Sequence, residues 1–416
     1  MADWKELTVG DLCDTISDTY HRNDEVVVLV NTSDVLEGKI LNHQPVENKN
    51  LKGQFKKTFK KDDILYSEIR PANKRYAYVD FAGTERYIAS TKLMVLRPKK
   101  DRVLPRFLFA FLSSNHVLAE LQHLAETRSG TFPQITFSSE LAPMPIALPD
   151  FNTQEKIVGM LSSIEGRIQN NNAINKNLEE QAVVLFRSWF SAFSLSSNSP
   201  RINSEFGEIP EDFAVVKVGS LPMLVTDYVA NGSFASLKAN VNLYQEPNYA
   251  YFIRNTDLKS GSFGVFVDQH SYEFLSKSTL FGGEIIISNV GDVGSVFLCP
   301  KLDSRMTLGN NIIMLRPEDD HLRYYLYIWF KYLQGQALIQ GIKGGSAQPK
   351  FNKTDFKNIS ILIPPKDMLS RFHETVAPMF ETISQRQTET SRLADLRDTL
   401  LSQLMSGEID VSNLDL

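Results

Sequence analysis

The sequence predicts an α+β protein: two globular mixed α/β lobes separated by two long helices that pack on each other as a coiled coil, in a pseudo-two-fold internal repeat. Three observations predict this. A set of short motifs occurs twice in the same order, two stretches sustain an apolar seam at alternating steps of four and three, and the rest consists of short β-branched runs with a helical stretch in each half. Along the chain, the expected organisation is a first lobe at 1–150, a first helix at 151–195, a linker at 196–207, a second lobe at 208–364 and a second helix at 365–408.

At 416 residues the chain exceeds what one hydrophobic core usually spans, so two domains are expected. With 42% hydrophobic and 22% charged residues, the composition is that of a globular protein and not of a disordered one. The two cysteines, Cys13 and Cys299, lie far apart and form no metal-ligand spacing, which argues against a disulfide framework or zinc site and for a reducing, cytoplasmic setting. The first ten residues carry charges where a signal peptide needs an apolar run, and no stretch approaches the ~20 apolar residues of a membrane span. A net charge of −5 argues mildly against a free-standing nucleic-acid binder, but not against one with a local basic surface or a phosphate-binding partner.

The repeat begins with Val9-Gly10-Asp11-Leu12 behind Trp4, answered by Val218-Gly219-Ser220-Leu221 behind Phe213 at the same distance. Asp63-Ile64-Leu65-Tyr66-Ser67 is answered by Glu284-Ile285-Ile286-Ile287-Ser288, and Val95-Leu96-Arg97-Pro98 by Met314-Leu315-Arg316-Pro317. A small polar loop follows in each half, Ser129-Gly130-Thr131-Phe132-Pro133 and Gly344-Gly345-Ser346-Ala347-Gln348-Pro349, and then an apolar strand ending in proline, 145–149 and 359–364. Strand-like runs at 26–30, 64–69, 92–96, 285–288 and 311–315, with helices at 106–126 and 322–339, make the lobes mixed.

The seam of the first helix reads Ile157, Leu161, Ile164, Ile168, Asn171, Asn175, Leu178, Ala182, Leu185, Trp189. That of the second reads Phe372, Val376, Met379, Ile383, Arg386, Thr390, Leu393, Arg397, Leu400, Leu404. Both are apolar at the ends and polar in the middle, and at about 50 Å each is too long to bury its stripe against one small lobe. Packing on each other is the economical solution, with the polar positions fixing register. Phe186, Trp189 and Phe190 at the end of the first helix are candidates for partner docking or for packing against a lobe. Between the helices, 194–203 is rich in serine and asparagine and contains Pro200, which reads as a linker.

Candidate nucleic-acid contacts fall in three kinds of segment. Residues 52–61 interleave five lysines, among them Lys56, Lys57, Lys60 and Lys61, with Phe55 and Phe59. This suits a phosphate backbone, or equally a solvated hairpin. Arg70, Asn73, Lys74 and Arg75 cluster at a strand-to-loop corner, where Arg and Asn are the geometric matches for guanine and adenine edges, or equally form a plain polar turn. The counterpart, from Asn289 to Gly294, lacks cations but has the glycines of a tight turn. Arg128, Ser129, Gly130 and Thr131, and in the second half Lys343, Gly344, Ser346, Gln348 and Lys350, offer backbone N–H groups and cations to phosphate. A helix C-cap and turn is the plain alternative.

Other chemistry finds little support. The seven histidines are scattered, and His116 and His123 lie on one helix without a metal-binding partner pattern. Asp257-Leu258-Lys259 and Asp355-Phe356-Lys357 match only the tail of a nuclease motif. No phosphate loop, cofactor-binding glycine turn or Asn/Asp-Pro-Pro-aromatic tetrapeptide occurs, so neither a catalytic residue nor a metal ligand is assigned.

The order lobe, long helix, lobe, long helix resembles the specificity subunits of type I restriction–modification systems. The resemblance covers nearly the whole chain and rests on the Asp/Glu-Ile-Leu/Ile-x-Ser strand, the Leu-Arg-Pro turn and the phrases ending the helices. These phrases are Leu178-Glu179 with Leu185-Phe186-Arg187-Ser188-Trp189-Phe190, and Leu396-Arg397-Asp398-Thr399-Leu400-Leu401 with Leu404-Met405-Ser406-Gly407-Glu408-Ile409. The resemblance implies that the lobes are target-recognition domains on double-stranded DNA. It implies that the helices form an antiparallel coiled coil docking two modification (methyltransferase) subunits. It also implies a restriction subunit acting as translocase and endonuclease, no cofactor in this chain and S-adenosylmethionine in the modification subunits. The second half lacks the Arg70-type cations, which fits lobes reading different sequences. The implied target is asymmetric and bipartite, its half-sites roughly one turn apart and its spacer set by the helices. A non-catalytic coiled-coil scaffold, or a stand-alone DNA methylase or nuclease, are the alternatives.

Overall fold

The computed structural model describes residues 4–49, 53–128, 133–332, 334–345 and 348–411. The chain divides into two compact units, residues 1–168 with 393–416 and residues 169–392, so that each long helix contributes to both.

The first unit is organised on an antiparallel sheet with the spatial order Cys13–Ile16, Leu93–Pro98, Ile64–Ser67, Tyr76–Tyr78. Its two inner strands are the repeat motifs themselves, in the register Leu93↔Ser67 and Leu96↔Ile64. Side chains alternate across a strand, so these runs serve two cores. Ile64, Tyr66, Met94 and Leu96 pack with the helices Pro105–Leu112 and Asn115–Arg128. Leu65, Leu93 and Val95 face Val30, Val35 and Ala89 on the other side. Val30 and Ala89 belong to a second sheet, in which Val26–Val30 and Tyr87–Ser90 run parallel between Pro45–Glu47 and Phe55–Lys57.

The second unit repeats the plan. Its antiparallel sheet has the order Met223–Asp227, Ile312–Pro317, Ile285–Ser288, Val296–Leu298. Ile285, Ile287, Ile313 and Leu315 face the core under the helix His321–Tyr332, whereas Ile286, Ile312 and Met314 face the opposite core. Its second sheet again has a parallel pair at the centre, Ala250–Ile253 with Arg305–Leu308.

A two-stranded ribbon closes each unit, Lys5–Thr8 with Pro145–Leu148 and Ala214–Lys217 with Ser360–Ile363. The glycine of each Val-Gly-Asp/Ser-Leu motif lies against the segment before the closing strand. A Cβ on Gly10 would stand 3.2 Å from Ala142 Cβ, and one on Gly219 would stand 3.0 Å from Lys357 Cβ. Such an approach leaves little room for a side chain.

The long helices are Phe151–Phe186, with 36 residues, and Lys366–Met405, with 40. In each unit they run antiparallel, and every predicted seam position is buried or half-buried. Ile157 and Leu404 enter the core of the first unit; Ala182, Phe372 and Val376 enter that of the second. The polar middle is partly bonded: Arg386 donates to Asn171 Oδ1 at 2.7 Å, Asn171 donates to Glu389 at 3.0 Å, and Arg397 donates to Glu165 at 3.2 Å, whereas the buried Asn175 Oδ1, Thr390 Oγ1 and Arg386 Nε have no hydrogen-bond partner among the described residues. Phe186 and Phe190 are 0% and 2% exposed and pack on Phe372 and Tyr325, which decides for lobe packing over docking at these two positions.

The segment read as a linker is partly ordered into a hairpin, Arg201–Ser204 with Gly207–Pro210. Gly207 turns it at φ +87°, and Ile209 anchors it in the core of the second unit. Serine and asparagine content hid this, because a hairpin with one buried residue has no clear apolar alternation. Among the described residues no helix is long and apolar enough to cross a membrane.

Candidate nucleic-acid interface

In the first unit the strand Ile64–Ser67 runs out into the Arg70 corner. Buried Ser67 accepts the Ile69 N–H at 3.1 Å, and a 3-10 turn, Pro71–Asn73, lies between two left-handed residues, Arg70 at φ 45° and Lys74 at φ 53°. A left-handed conformation costs about 1–2 kcal/mol at a residue with a Cβ, so tertiary contacts must hold the corner. The stretch beyond the helix Asn115–Arg128 supplies them: Arg70 N–H donates to Pro133 O at 3.1 Å and Ile135 N–H to Glu68 O at 2.8 Å. From the helix itself, Gln122 Oε1 accepts the Ala72 N–H at 3.0 Å. The corner is thus stitched to the segment from Pro133 to Ile135.

The lysine segment divides. Thr91 N–H donates to Gln54 O at 2.7 Å and Glu68 N–H to Lys92 O at 3.1 Å, so Lys56 and Lys57 lie at the same sheet end as the corner. Lys56 is exposed, but Lys57 turns inward and donates to Leu93 O at 2.8 Å. Burial pulls its ammonium below the ordinary value. Lys60 and Lys61 precede the strand and stand at its opposite end, about 13 Å away at 3.3 Å per residue.

The same stitching recurs in the second unit. The strand Ile285–Ser288 leads into 289–294, where Gly291 N–H donates to Pro349 O at 2.8 Å and Phe351 N–H donates to Asn289 O at 3.0 Å. Gly344 and Lys350 exchange backbone bonds of 2.8 and 2.9 Å that close the second loop. Helix glutamines again reach the corner, Gln336 Nε2 donating to Gly294 O at 2.8 Å and Gln340 Nε2 to Val293 O at 3.3 Å. Asn289 is half-buried, and its Oδ1 has no hydrogen-bond partner among the described residues.

Several candidate groups are engaged in holding the fold. Arg75 donates to Ser33 O at 2.9 Å, Lys74 lies 3.7 Å from Glu37, and Arg128 donates to Glu140 at 2.8 Å. The side chains of Lys56, Arg70 and Asn73 in the first unit, and of Lys343, Gln348 and Lys350 in the second, are exposed and without a side-chain partner among the described residues. Ser129, Gly130, Thr131 and Ser346 lie outside the described residues, while Gly344 is exposed.

Sequence reasoning missed the glutamines and a polar cluster at the first corner, where Gln134 and Lys92 both donate to Glu68, at 3.0 and 3.4 Å. Only their place near the loops could have signalled them. The remaining reactive groups are occupied or quiet. Arg254 binds Asp257 through two bonds of 3.0 and 2.6 Å, and Lys259 pairs with Asp292 at 2.7 Å. Asp355 is held by Asn352 at 2.7 Å. Burial pushes the Cys13 thiol up to about 12 and that of Cys299 well above its ordinary value. Among the described residues no group of three His, Cys, Asp or Glu side chains is gathered as a metal ion needs.

Two units of the same plan share the two long helices, and each carries a stitched loop pair at one sheet end, which defines an internally repeated protein. The family described as "Type I restriction modification DNA specificity domain" matches this chain twice, over residues 1–180 and 210–387. The HindI type I restriction enzyme specificity subunit of Haemophilus influenzae is 31% identical, over 98% of this chain and 100% of that protein. The MjaIX specificity subunit of Methanocaldococcus jannaschii is 27% identical, over 76% of this chain and 71% of that protein. The crystal structure of a type I restriction–modification S subunit from M. genitalium shares the fold at a TM-score of 0.50, with 17% identity and coverage of 99% and 97% of the two chains. The chain belongs to the family of type I restriction–modification DNA specificity subunits.

Proposed function

We propose that each unit reads one half of an asymmetric, bipartite sequence on double-stranded DNA through its stitched corner, and that the paired helices set the spacer and dock two modification subunits. The observation that carries this reading is the recurrence of the stitching with different side chains: Arg70, Asn73 and Lys56 in one unit, Lys343, Gln348 and Lys350 in the other. Cations position a protein on phosphates, while Arg, Asn and Gln match base edges in the major groove. Different side chains on one scaffold give different half-sites.

The chain itself is non-catalytic in this reading. S-adenosylmethionine binds in the modification subunits, which methylate adenine after drawing it out of the stack. A restriction subunit adds translocation and cleavage, and the complex works in the cytoplasm.

The test is co-expression with the neighbouring modification subunit in a host free of adenine methylation, followed by single-molecule sequencing of the genome. The expected result is a split, asymmetric methylated motif that vanishes when this chain is omitted. Methylation that persists without it, or never arises with it, would refute the reading and favour a scaffold.

A further inference from the structure

We infer that Gln122 in the first unit and Gln336 in the second are positioning residues for the two recognition corners; this rests on the DNA-reading function proposed above. Neither bonds to a side chain assigned to DNA. Each acts through backbone.

The two latches use opposite ends of the amide. Ala72 lies in the first turn of the 3-10 segment Pro71–Asn73, where a backbone N–H has no partner within the turn. Gln122 Oε1 accepts that N–H at 3.0 Å, and its Nε2 donates to Glu126 at 2.7 Å, one helical turn on, which fixes the amide orientation. The bond therefore holds the turn between Arg70 and Lys74, the strained part of the corner. In the second unit, Gln336 Nε2 donates to Gly294 O at 2.8 Å and also to Phe330 O, tying the corner loop to the end of the preceding helix. The approach is close. Gly294 has φ +96°, and a Cβ there would stand 3.0 Å from Gln340 Nε2 and 3.2 Å from Gln336 Oε1. A backbone N–H must donate and a carbonyl must accept, so the partners leave no ambiguity about which end of each amide does the work.

This polarity separates positioning from bulk packing. Glutamate keeps an acceptor at position 122 but provides no donor at position 336. Gln122→Glu alone would set two carboxylates together, so it is paired with Glu126→Gln, which keeps the bond from Ala72 N–H and reverses only the direction of the side-chain bond between positions 122 and 126.

The experiment uses the full chain in its modification complex, with genomic adenine methylation read by single-molecule sequencing and the melting temperature of each variant measured. The expected outcome for Gln122→Ala is roughly tenfold more methylation at sites mismatched in the first unit's half of the motif, with the other half unchanged. The Gln122→Glu/Glu126→Gln swap restores wild-type selectivity. Gln336→Ala and Gln336→Glu both relax the other half alone. The inference is overturned if the swap relaxes selectivity as much as Gln122→Ala does. It also fails if Gln336→Glu behaves as wild type, or if any single variant degrades both halves together. Absence of a split motif in the wild type is a separate result, which defeats the DNA-reading function and not the latch.

Discussion

Arg97 grips the buried carboxylate of Asp63 with two hydrogen bonds, 2.9 Å from Nε and 2.7 Å from the guanidinium NH2. The second unit pairs Arg316 with Glu284 at the matching positions, there with both nitrogens donating to one oxygen, Oε1, at 3.3 and 2.9 Å. These four residues are the charged members of the two motifs that reveal the repeat. The carboxylates also accept from the turn before their own strand, Asp63 from Lys60 N–H at 2.8 Å and Glu284 from Phe281 N–H at 2.8 Å and Gly282 N–H at 2.9 Å. Asp63 is 1% exposed and Glu284 4%. Removing one partner of such a pair strands a buried charge and costs about 3–5 kcal/mol. Arg97→Ala and Arg316→Ala are each expected to lower stability by that order, which urea unfolding will read. A loss of under about 1 kcal/mol, as for a surface ion pair, would contradict the assignment.

The polar middle of the helix pair makes a second prediction. Asn171 is fully buried and bonds both Arg386 and Glu389. Asn171→Ala leaves both charged groups short of a partner, at an expected cost of about 1–3 kcal/mol. Combined with Arg386→Ala it should be less destabilising than the sum of the single changes, which a double-mutant cycle measures.

Acid sensitivity of the second unit follows from Asp268. Hydrogen bonds from Ser271, then from Asn242 and Tyr244, hold its carboxyl at about 2 against an ordinary 3.8. The folded state binds this proton less readily than the unfolded state. The stability it contributes is complete above about pH 4 and is lost as the pH falls through 2. In Asp268→Asn that increment of acid destabilisation should disappear; unfolding midpoints between pH 5 and 2 that fall as steeply in the variant as in the wild type would count against it.

Helix length should set the spacer of the target. The pairs Glu165–Arg397 and Asn171–Arg386 pin the register, so an insertion in one helix alone would misalign the seam. Matched seven-residue insertions, between Glu165 and Asn171 and between Glu389 and Arg397, keep the pairing and add about 10 Å, or about three base pairs. The methylated motif should gain that spacing with both half-sites unchanged.

The repeat and the seam were legible because each motif has a fixed structural task. Gly10 and Gly219 permit a close approach, Asp63 with Arg97 and Glu284 with Arg316 lock neighbouring strands, and Ser67 and Ser288 end the strand at the corner. Those tasks demand particular residues at particular spacing. The second sheets were largely illegible, since strands such as Pro45–Glu47 and Leu243–Tyr244 have three and two residues and show no alternation. Two of the candidate clusters came together through backbone hydrogen bonds, which leave no mark on residue type, and the separation of Lys60 and Lys61 from Lys56 depended on where one strand begins. The glutamine latches were hidden for a related reason: an exposed-looking glutamine on a helix reads as solvated until its backbone partner is seen.

The most direct measurement is the genomic methylation motif of two double variants, Arg70→Ala/Asn73→Ala and Gln348→Ala/Lys350→Ala, each co-expressed with the modification subunit. The predicted result is that the first pair blurs or weakens one half of the split motif and the second pair the other half, with the spacer intact. A motif that both pairs leave unchanged, or that both alter in the same half, would contradict the assignment of one stitched corner to each half-site.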